Sequence, residues 1–90
     1  MTTLTEQVIK DQAIKPVNRV IDARGSFCPG PLMELIRAIR ESEVGTVIAV
    51  RSSDRGSRID IPKWVEKAGH RLVALEARDG YDEIVVEKMR

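Results

Sequence analysis

The chain has few of the residues on which several classes of protein depend. Its 90 residues include one cysteine, one histidine, one phenylalanine, one tryptophan and one tyrosine. One cysteine excludes an internal disulfide, and a reducing compartment is the natural place for a free thiol. Such a small number of aromatic side chains excludes a base-stacking surface for nucleic acid. A lone His70 with no cysteine near it is weak evidence for a zinc site, which needs three or four ligands.

A large net charge and long apolar runs are missing as well. The net charge is +1, whereas nucleic-acid-binding domains usually carry a clear basic excess. No apolar run approaches the ~20 residues that cross a bilayer. Residues 1–17 do not follow the secretory pattern of a basic region and an apolar core, so we expect a cytoplasmic protein. A hydrophobic content of 42% and a charged content of 32% fit one ordinary globular domain.

The cysteine lies at the junction between a short apolar run and a helical pattern. Proline is disfavoured inside a helix but accepted in its first turn, so Pro29 and Pro31 mark a helix start directly after Cys28. The apolar residues that follow recur at i, i+3, i+4 and i+7, the spacing of one helical face. These residues are Leu32, Leu35, Ile36 and Ile39.

A thiol at a helix start has two interpretations. The unpaired N–H groups and the positive end of the helix dipole favour the thiolate, which is the nucleophilic form. On this view Cys28 is partly accessible to solvent, and its pKa lies below the ordinary value of about 8.5. Alternatively, Cys28 is a small apolar residue buried under the helix, as free cysteines often are.

Hydrophobic patterning predicts the order β-α-β-α-β-β. Strands are expected at 18–22, 46–52, 71–77 and 84–86, and helices at 31–42 and 58–68. The first two strands are joined through a helix and should be parallel, whereas Asp79-Gly80 predicts a hairpin between the last two. The fold class is α+β: a two-layer α/β sandwich whose four-stranded mixed sheet has two helices packed on one face. We expect the other face to be left exposed, with Arg, Glu and Lys side chains of the last two strands to solvate it.

Two further expectations concern the division of the chain into a tail and a domain, and the residue at which the second helix starts. Residues 18–90 form the single domain, and residues 1–17 form a flexible or loosely docked tail. Pro62 is awkward inside a helix, so Asp60 is placed near the N-cap, with partner contact as the minor alternative.

Two sequence blocks resemble one protein family. The first is Cys-Pro-x-Pro, positions 28–31, after a strand ending at 21–25; the second is 58–64 followed by 69–73. Together they resemble the TusA (SirA-like) family of sulfur carriers over residues 20–87. The resemblance implies a domain in which Cys28 accepts a sulfane sulfur as a persulfide and passes it to another protein. Phe27 replaces the basic residue of TusA, and Gly30 replaces a frequent acidic one; both changes affect the rim around the sulfur.

The expected function is that of a sulfurtransferase that carries sulfur between proteins. The resemblance implies a donor protein of the cysteine desulfurase or rhodanese type and an acceptor protein. No metal or organic cofactor is implied. The charge, the aromatic content and the short apolar runs predict no nucleic acid and no membrane as partners, and we expect a monomer. Two alternatives remain: an interaction or regulatory module in which Cys28 is structural, and a thiol sensor of oxidants, against which the missing resolving cysteine counts.

Several side chains around the motif have both an ordinary and a functional interpretation. Arg24 is either a solvated loop charge or a group that helps to keep the sulfur anionic. Met33, on the first helix, is either a core residue or a partly exposed contact for partner proteins. Arg37 and Arg40, on the same helix, form either a solvated surface or a docking face for the sulfur donor or acceptor.

Overall fold

The computed structural model describes residues 16–27 and 29–90, and its elements follow the predicted order. They are β1 (Arg19–Asp22), α1 (Gly30–Glu41), β2 (Val47–Ser52), α2 (Arg55–Lys67), β3 (Arg71–Ala77) and β4 (Asp82–Glu87). The α+β class, the mixed four-stranded sheet and the two helices are thereby confirmed.

The sheet has the strand order β1-β2-β4-β3. β1 is parallel to β2, and β4 runs antiparallel to both β2 and β3. The last strand therefore lies between the second and the third, which gives β2 and β4, the strands richest in buried residues, a hydrogen-bonding partner on each side. β3 is left at an edge, and a register shift between Leu72 and Ala74 interrupts its ladder, a feature that blunts edge pairing.

The main core lies between the sheet and the two helices. Leu35, Ala38 and Ile39 contribute from α1, and Ile61 and Val65 contribute from α2. The sheet residues that meet them are Ile21, Ile48, Val50, Ile84 and Val86. The buried stripe of α1 is rotated from the predicted one, because the small side chain of Ala38 faces the core while Leu32 and Ile36 are only partly buried.

The second helix begins earlier than predicted. α2 starts at Arg55, and the Asp54 carboxylate caps it by accepting hydrogen bonds from the Ser57 N–H and Oγ–H, both at 3.2 Å. The prediction that Asp60 lies near the N-cap is wrong, because Asp60 and Pro62 are both inside the helix. Pro62 removes one donor to the carbonyl four residues earlier, and the burial of neighbouring Ile61 and Val65 outweighs that loss.

The face of the sheet opposite the helices differs from the expectation of full exposure. Val47, Ala49 and Val85 are buried there, with Val73 and Ala74 packed beside them. Charged pairs surround them: the Arg51 and Glu83 side chains are 3.6 Å apart, and those of Arg71 and Glu87 are 3.8 Å apart. The expectation is right for the charged border and wrong for the apolar centre.

No helix of the described ranges, 16–27 and 29–90, has the length and apolar character needed to cross a membrane.

Candidate functional site

Three loops meet at one edge of the sheet, the one formed by the carboxyl ends of β1 and β2. Because β1 and β2 are parallel, the loops that follow them leave from the same edge, and the β3–β4 turn lies there as well. The Ala23 N–H donates to the Arg51 carbonyl at 2.9 Å, and the Gly25 N–H donates to Ser53 Oγ at 2.9 Å. These bonds join the loop that leads into the cysteine motif to the loop that leads into α2.

Cys28 itself lies outside the described residues, so its accessibility and acidity stay predictions. Its neighbours in the chain are described. Phe27 is 79% exposed, and Pro29, the residue before α1, is exposed too. The Gly30 N–H donates to the Phe27 carbonyl at 2.7 Å, which closes a turn across position 28. The predicted setting of the motif, between the loop after β1 and the start of a helix, is confirmed on both sides.

The first turn of α1 has few backbone donors to offer an anion. Pro31 has no N–H, the Gly30 N–H bonds to Phe27, and the Met33 N–H bonds to the Pro29 carbonyl at 2.9 Å. Leu32 is the remaining residue of that turn, and no side chain caps the helix. The electrostatic influence of this helix end on a nearby group therefore comes from the dipole and from few individual N–H groups.

Arg24 forms an ion pair within the loop. Its Nε and Nη2 atoms donate to the two carboxylate oxygens of Asp22, each at 2.8 Å, and its guanidinium carbon is 5.0 Å from the centre of the Tyr81 ring. Hydrogen bonds from the side chain and backbone of Arg24 lower the pKa of Asp22 to about 2. Much of the Arg24 charge is thus balanced by Asp22, and the side chain links β1 to the β3–β4 turn.

Sequence reasoning missed Asp22, Ser53 and Tyr81 as residues that shape this edge. The Asp-x-Arg spacing at positions 22–24 is a local signal that could have identified the ion pair. The contacts of Ser53 and Tyr81 join loops far apart in the chain, and no local pattern specifies them.

The outer face of α1 is exposed, as a docking face requires. Met33 is an exposed large apolar residue, and Arg37 and Arg40 are exposed beside it. Together they line a shallow groove along the helix, with Glu34, Ile36 and Glu41. Asp60, by contrast, is half-buried within α2.

A second groove lies beside the start of α2. Its basic side chains are largely paired: Arg58 Nη1 is 3.2 Å from the Asp82 carboxylate, and Arg78 Nη2 is 2.9 Å from that of Glu83. The other residues lining it include Ser53, Arg55, Ile59 and Tyr81. Within the part of the chain that the structure describes, no three His, Cys, Asp or Glu side chains are grouped as metal ligands.

Comparisons with known proteins agree with this arrangement. The model of the family described as "Sulfurtransferase TusA" matches residues 19–88. A protein of Archaeoglobus fulgidus, whose name marks it as a candidate sulfur carrier, is 55% identical over 71 residues, covering 79% of this chain and 97% of its own. The sulfur carrier protein TusA of Pseudomonas savastanoi pv. phaseolicola is 41% identical over 64 residues, covering 71% of this chain and 76% of its own.

A solved structure is similar as well. The SirA-like protein from Desulfitobacterium hafniense superimposes with a TM-score of 0.70 and 30% sequence identity, covering 80% of this chain and 99% of the other. The family match spans β1 to β4 and contains both prolines of the cysteine motif. The chain belongs to the TusA (SirA-like) family.

Proposed function

We propose that this protein is a sulfur carrier that holds a sulfane sulfur as a persulfide on Cys28 and transfers it to a partner protein. One observation carries the proposal. In a chain of the TusA family, the lone cysteine stands between two exposed residues, Phe27 and Pro29, at the start of α1. We expect a thiol in that position to be open to a partner's sulfur and to benefit from the positive end of the helix dipole.

The transfer follows the chemistry of thiol–disulfide exchange. The Cys28 thiolate attacks the terminal sulfur of a donor persulfide. A new S–S bond forms on Cys28, the S–S bond of the donor breaks, and the donor thiolate leaves and takes up a proton. In the second step an acceptor thiolate attacks the terminal sulfur of Cys28–S–SH and releases the Cys28 thiolate. Neither step needs a net oxidant or reductant.

The chain has no second cysteine, so the other thiols in this relay belong to partner proteins. The donor is a protein that holds a persulfide, of the cysteine desulfurase or rhodanese type, and the acceptor is a protein with a reactive thiol. A reducing cytoplasm keeps Cys28 free for this exchange. As a sulfurtransferase the protein carries a group and turns over only with these partners.

The exposed apolar side chains near the motif give partners a surface to bind. Phe27 lies directly before the cysteine, and Met33 lies on the outer face of α1. A flexible thioether and an exposed ring suit contacts with more than one protein. Arg37 and Arg40 add a basic border to this surface.

Intact-mass measurement tests the proposal. Incubation with a persulfide donor should add one sulfur, about 32 Da, to the wild-type protein, and a thiol reductant should remove it. The Cys28→Ser variant should gain nothing while keeping its fold, because the hydroxyl is close in size to the thiol and leaves no large cavity.

The same measurement separates the alternatives. Oxygen gain with peroxide and no sulfur gain with the donor would identify an oxidant sensor and contradict the carrier proposal. No gain in either reaction would identify a non-catalytic module. Fluorescence of the single tryptophan, Trp64, checks that Cys28→Ser is folded. Unfolding of that variant would make Cys28 a core residue and overturn its proposed role.

A further inference from the structure

The groove beside the start of α2, called the α2 groove below, lies next to the loop that leads into the cysteine motif. It is open to solvent and has a volume of about 700 Å³. Ser53, one of its lining residues, accepts a hydrogen bond from the Gly25 N–H at 2.9 Å. Cys28 follows Gly25 by three residues, which span at most about 11 Å of chain. A protein segment bound in the α2 groove is therefore close enough to bring a sulfur atom to the thiol.

The charges that line the α2 groove are mostly cationic. Arg55, Arg58 and Arg78 line it, and Asp82 is the only carboxylate among its described lining residues. The Arg58 side chain is 51% exposed, whereas that of its partner Asp82 is 16% exposed. An anion that approaches the groove therefore meets guanidinium groups before it meets the carboxylate.

Ion pairs hold two of these guanidinium groups in place. Arg58 Nη1 donates to the Asp82 carboxylate at 3.2 Å, and Arg78 donates to Glu83 from Nε at 3.1 Å and from Nη2 at 2.9 Å. A guanidinium has five N–H groups, so both arginines keep donors for a further acceptor. Arg55 is exposed and forms no ion pair within residues 16–27 and 29–90, so it supplies a positive charge that no described carboxylate balances. Donors that are already held in place favour a carboxylate ligand, because little side-chain entropy is lost on binding.

Apolar side chains lie among these cations. Ile59, on α2, is 59% exposed, and the partly exposed Leu75 and Tyr81 line the same groove. An exposed large apolar side chain beside fixed polar donors is typical of a surface that binds another protein. The matching ligand has acidic side chains for the arginines and one large apolar side chain for Ile59.

We propose that the α2 groove binds a segment of a partner protein that carries acidic side chains and one large apolar side chain. The partner is one that exchanges sulfur with Cys28, so the inference rests on the proposed function and adds the chemistry by which the partner is recognised. Nucleic acid is the competing ligand for a row of arginines. The net charge of +1 and the single Phe, Trp and Tyr of the chain disfavour it.

Peptide binding to the full chain tests the proposal. The probe is a fluorescein-labelled peptide of glutamates around one leucine, and its counterpart has glutamine in place of every glutamate. Fluorescence anisotropy at low salt should give a Kd at least about tenfold lower for the glutamate peptide, because a carboxylate accepts stronger hydrogen bonds from guanidinium groups than a neutral amide does. The preference should weaken as the salt concentration rises, since salt screens exposed charges.

Matched substitutions locate the bound peptide. Arg55→Gln combined with Arg58→Gln should reduce the preference to about twofold or less. Lys67→Gln combined with Arg90→Gln removes the same charge at the other end of α2 and should leave the preference unchanged.

A second variant keeps the test decisive if Arg58→Gln unfolds the chain by leaving Asp82 without its partner. Arg55→Gln combined with Ile59→Ser removes the unbalanced charge and the exposed apolar side chain, and it should weaken binding of the glutamate peptide by about tenfold. Trp64 fluorescence verifies the fold of each variant.

Sulfur loading links the α2 groove to Cys28. A glutamate peptide that ends in a cysteine persulfide should load the wild-type protein about tenfold faster than its glutamine counterpart, as measured by intact mass. Arg55→Gln combined with Arg58→Gln should remove this difference. A small neutral persulfide should load the wild type and the variant at the same rate, because it does not use the groove.

Several outcomes would overturn the proposal. Equal binding of the two peptides to the wild type is one, and a preference that survives the loss of Arg55 and Arg58 is another. Equal loading rates in a protein that does take up sulfur would also overturn it. Displacement of the glutamate peptide by single-stranded RNA at a lower concentration than by unlabelled peptide would identify nucleic acid as the ligand instead. Self-association that the arginine variant loses would identify a second copy of the chain. A wild type that gains no sulfur even from the small persulfide would contradict the sulfur-carrier proposal, and the peptide preference would still decide whether the groove binds acidic segments.

Discussion

His70 occupies a place where protonation is unfavourable. Its Nδ1 accepts a hydrogen bond from the Met89 N–H at 3.1 Å, and its ring centre is 5.6 Å from that of Trp64. Partial burial lowers the pKa of His70, and the nearby charges of Lys88 and Arg90 lower it further. A protonated ring would lose the acceptor at Nδ1 and meet two positive charges.

The consequence is a loss of stability in mild acid. The folded-state pKa of His70 is below the ordinary value of about 6.5. The stability that the neutral ring contributes is therefore complete above pH 6.5 and declines as the pH falls below that value. Urea unfolding at pH 7.5 and pH 5 should give a lower free energy of unfolding at pH 5. His70→Gln should flatten this difference, because the amide oxygen still accepts from Met89 and does not titrate. An unchanged difference in the variant would assign the effect to other groups. Asp22 is not one of them. Its pKa of about 2 means that the stability from its ion pair is lost only between roughly pH 4 and pH 2.

Gly25 is required by the geometry of the loop before the cysteine motif. Its φ is +89°, and a Cβ atom there would have no heavy atom within 4 Å. Gly25→Ala should therefore destabilise the fold by about 1–2 kcal/mol through backbone strain alone, without a steric clash. Gly30→Ala is the matched control: Gly30 opens α1, and a Cβ would meet Ser26 Cβ at 3.4 Å, close to ordinary contact. Equal losses of unfolding free energy in the two variants would contradict the argument.

At the scale of the element, α2 shows why a cap is harder to predict than a helix. Asp54 and Asp60 are both followed by helix-compatible sequence, and Pro62 made the later start more plausible. The structure begins the helix at Arg55, where Ser52 Oγ accepts from the Asp54 N–H at 3.1 Å and orients the capping residue. That contact involves the end of β2, so the start of α2 depends on the strand before it.

Loss of the cap has a measurable cost. Asp54→Ala removes the acceptor for the Ser57 N–H and should lower the free energy of unfolding by about 1 kcal/mol, within a range of roughly 0.5–2. Asp60→Ala changes the same residue type inside the helix and should cost less. The comparison uses urea unfolding at neutral pH. A larger loss for Asp60→Ala would restore Asp60 as the capping residue.

At the scale of the whole molecule, stability and the proposed sulfur chemistry depend on different residues. Leu35 is fully buried between α1 and the sheet, whereas the cysteine motif lies at the sheet edge where three loops meet. Core burial supplies most of the folding free energy of such a small domain. The two properties should therefore respond to different substitutions.

Leu35→Ala should destabilise the protein by about 2–5 kcal/mol through lost burial and a cavity. The fraction that remains folded should still gain one sulfur from a persulfide donor, because Cys28 is unchanged. Urea unfolding gives the first result and intact mass gives the second. Full loss of sulfur loading in folded Leu35→Ala would mean that the core and the motif are coupled.

The sequence by itself determined most of what local patterns can encode. Alternation and β-branched runs specified the strands, and the 3.6-residue spacing specified the helices. Pro29 and Pro31 placed a helix start beside Cys28, since proline fits the first turn and little else of a helix. The crossover between β1 and β2 required a parallel pair because a helix lies between them. Each of these inferences depends on residues close together in the chain.

Tertiary structure decided what depends on residues far apart. β4 lies between β2 and β3, and the two central strands, β2 and β4, are the ones richest in buried residues. Arg24 is paired with Asp22 and held against Tyr81, since the β3–β4 turn folds back to the end of β1. Ala49 is buried beside Val47 and Val85 on the face opposite the helices. Strand patterns identify a face, but neighbours brought together only by folding determine whether that face meets water.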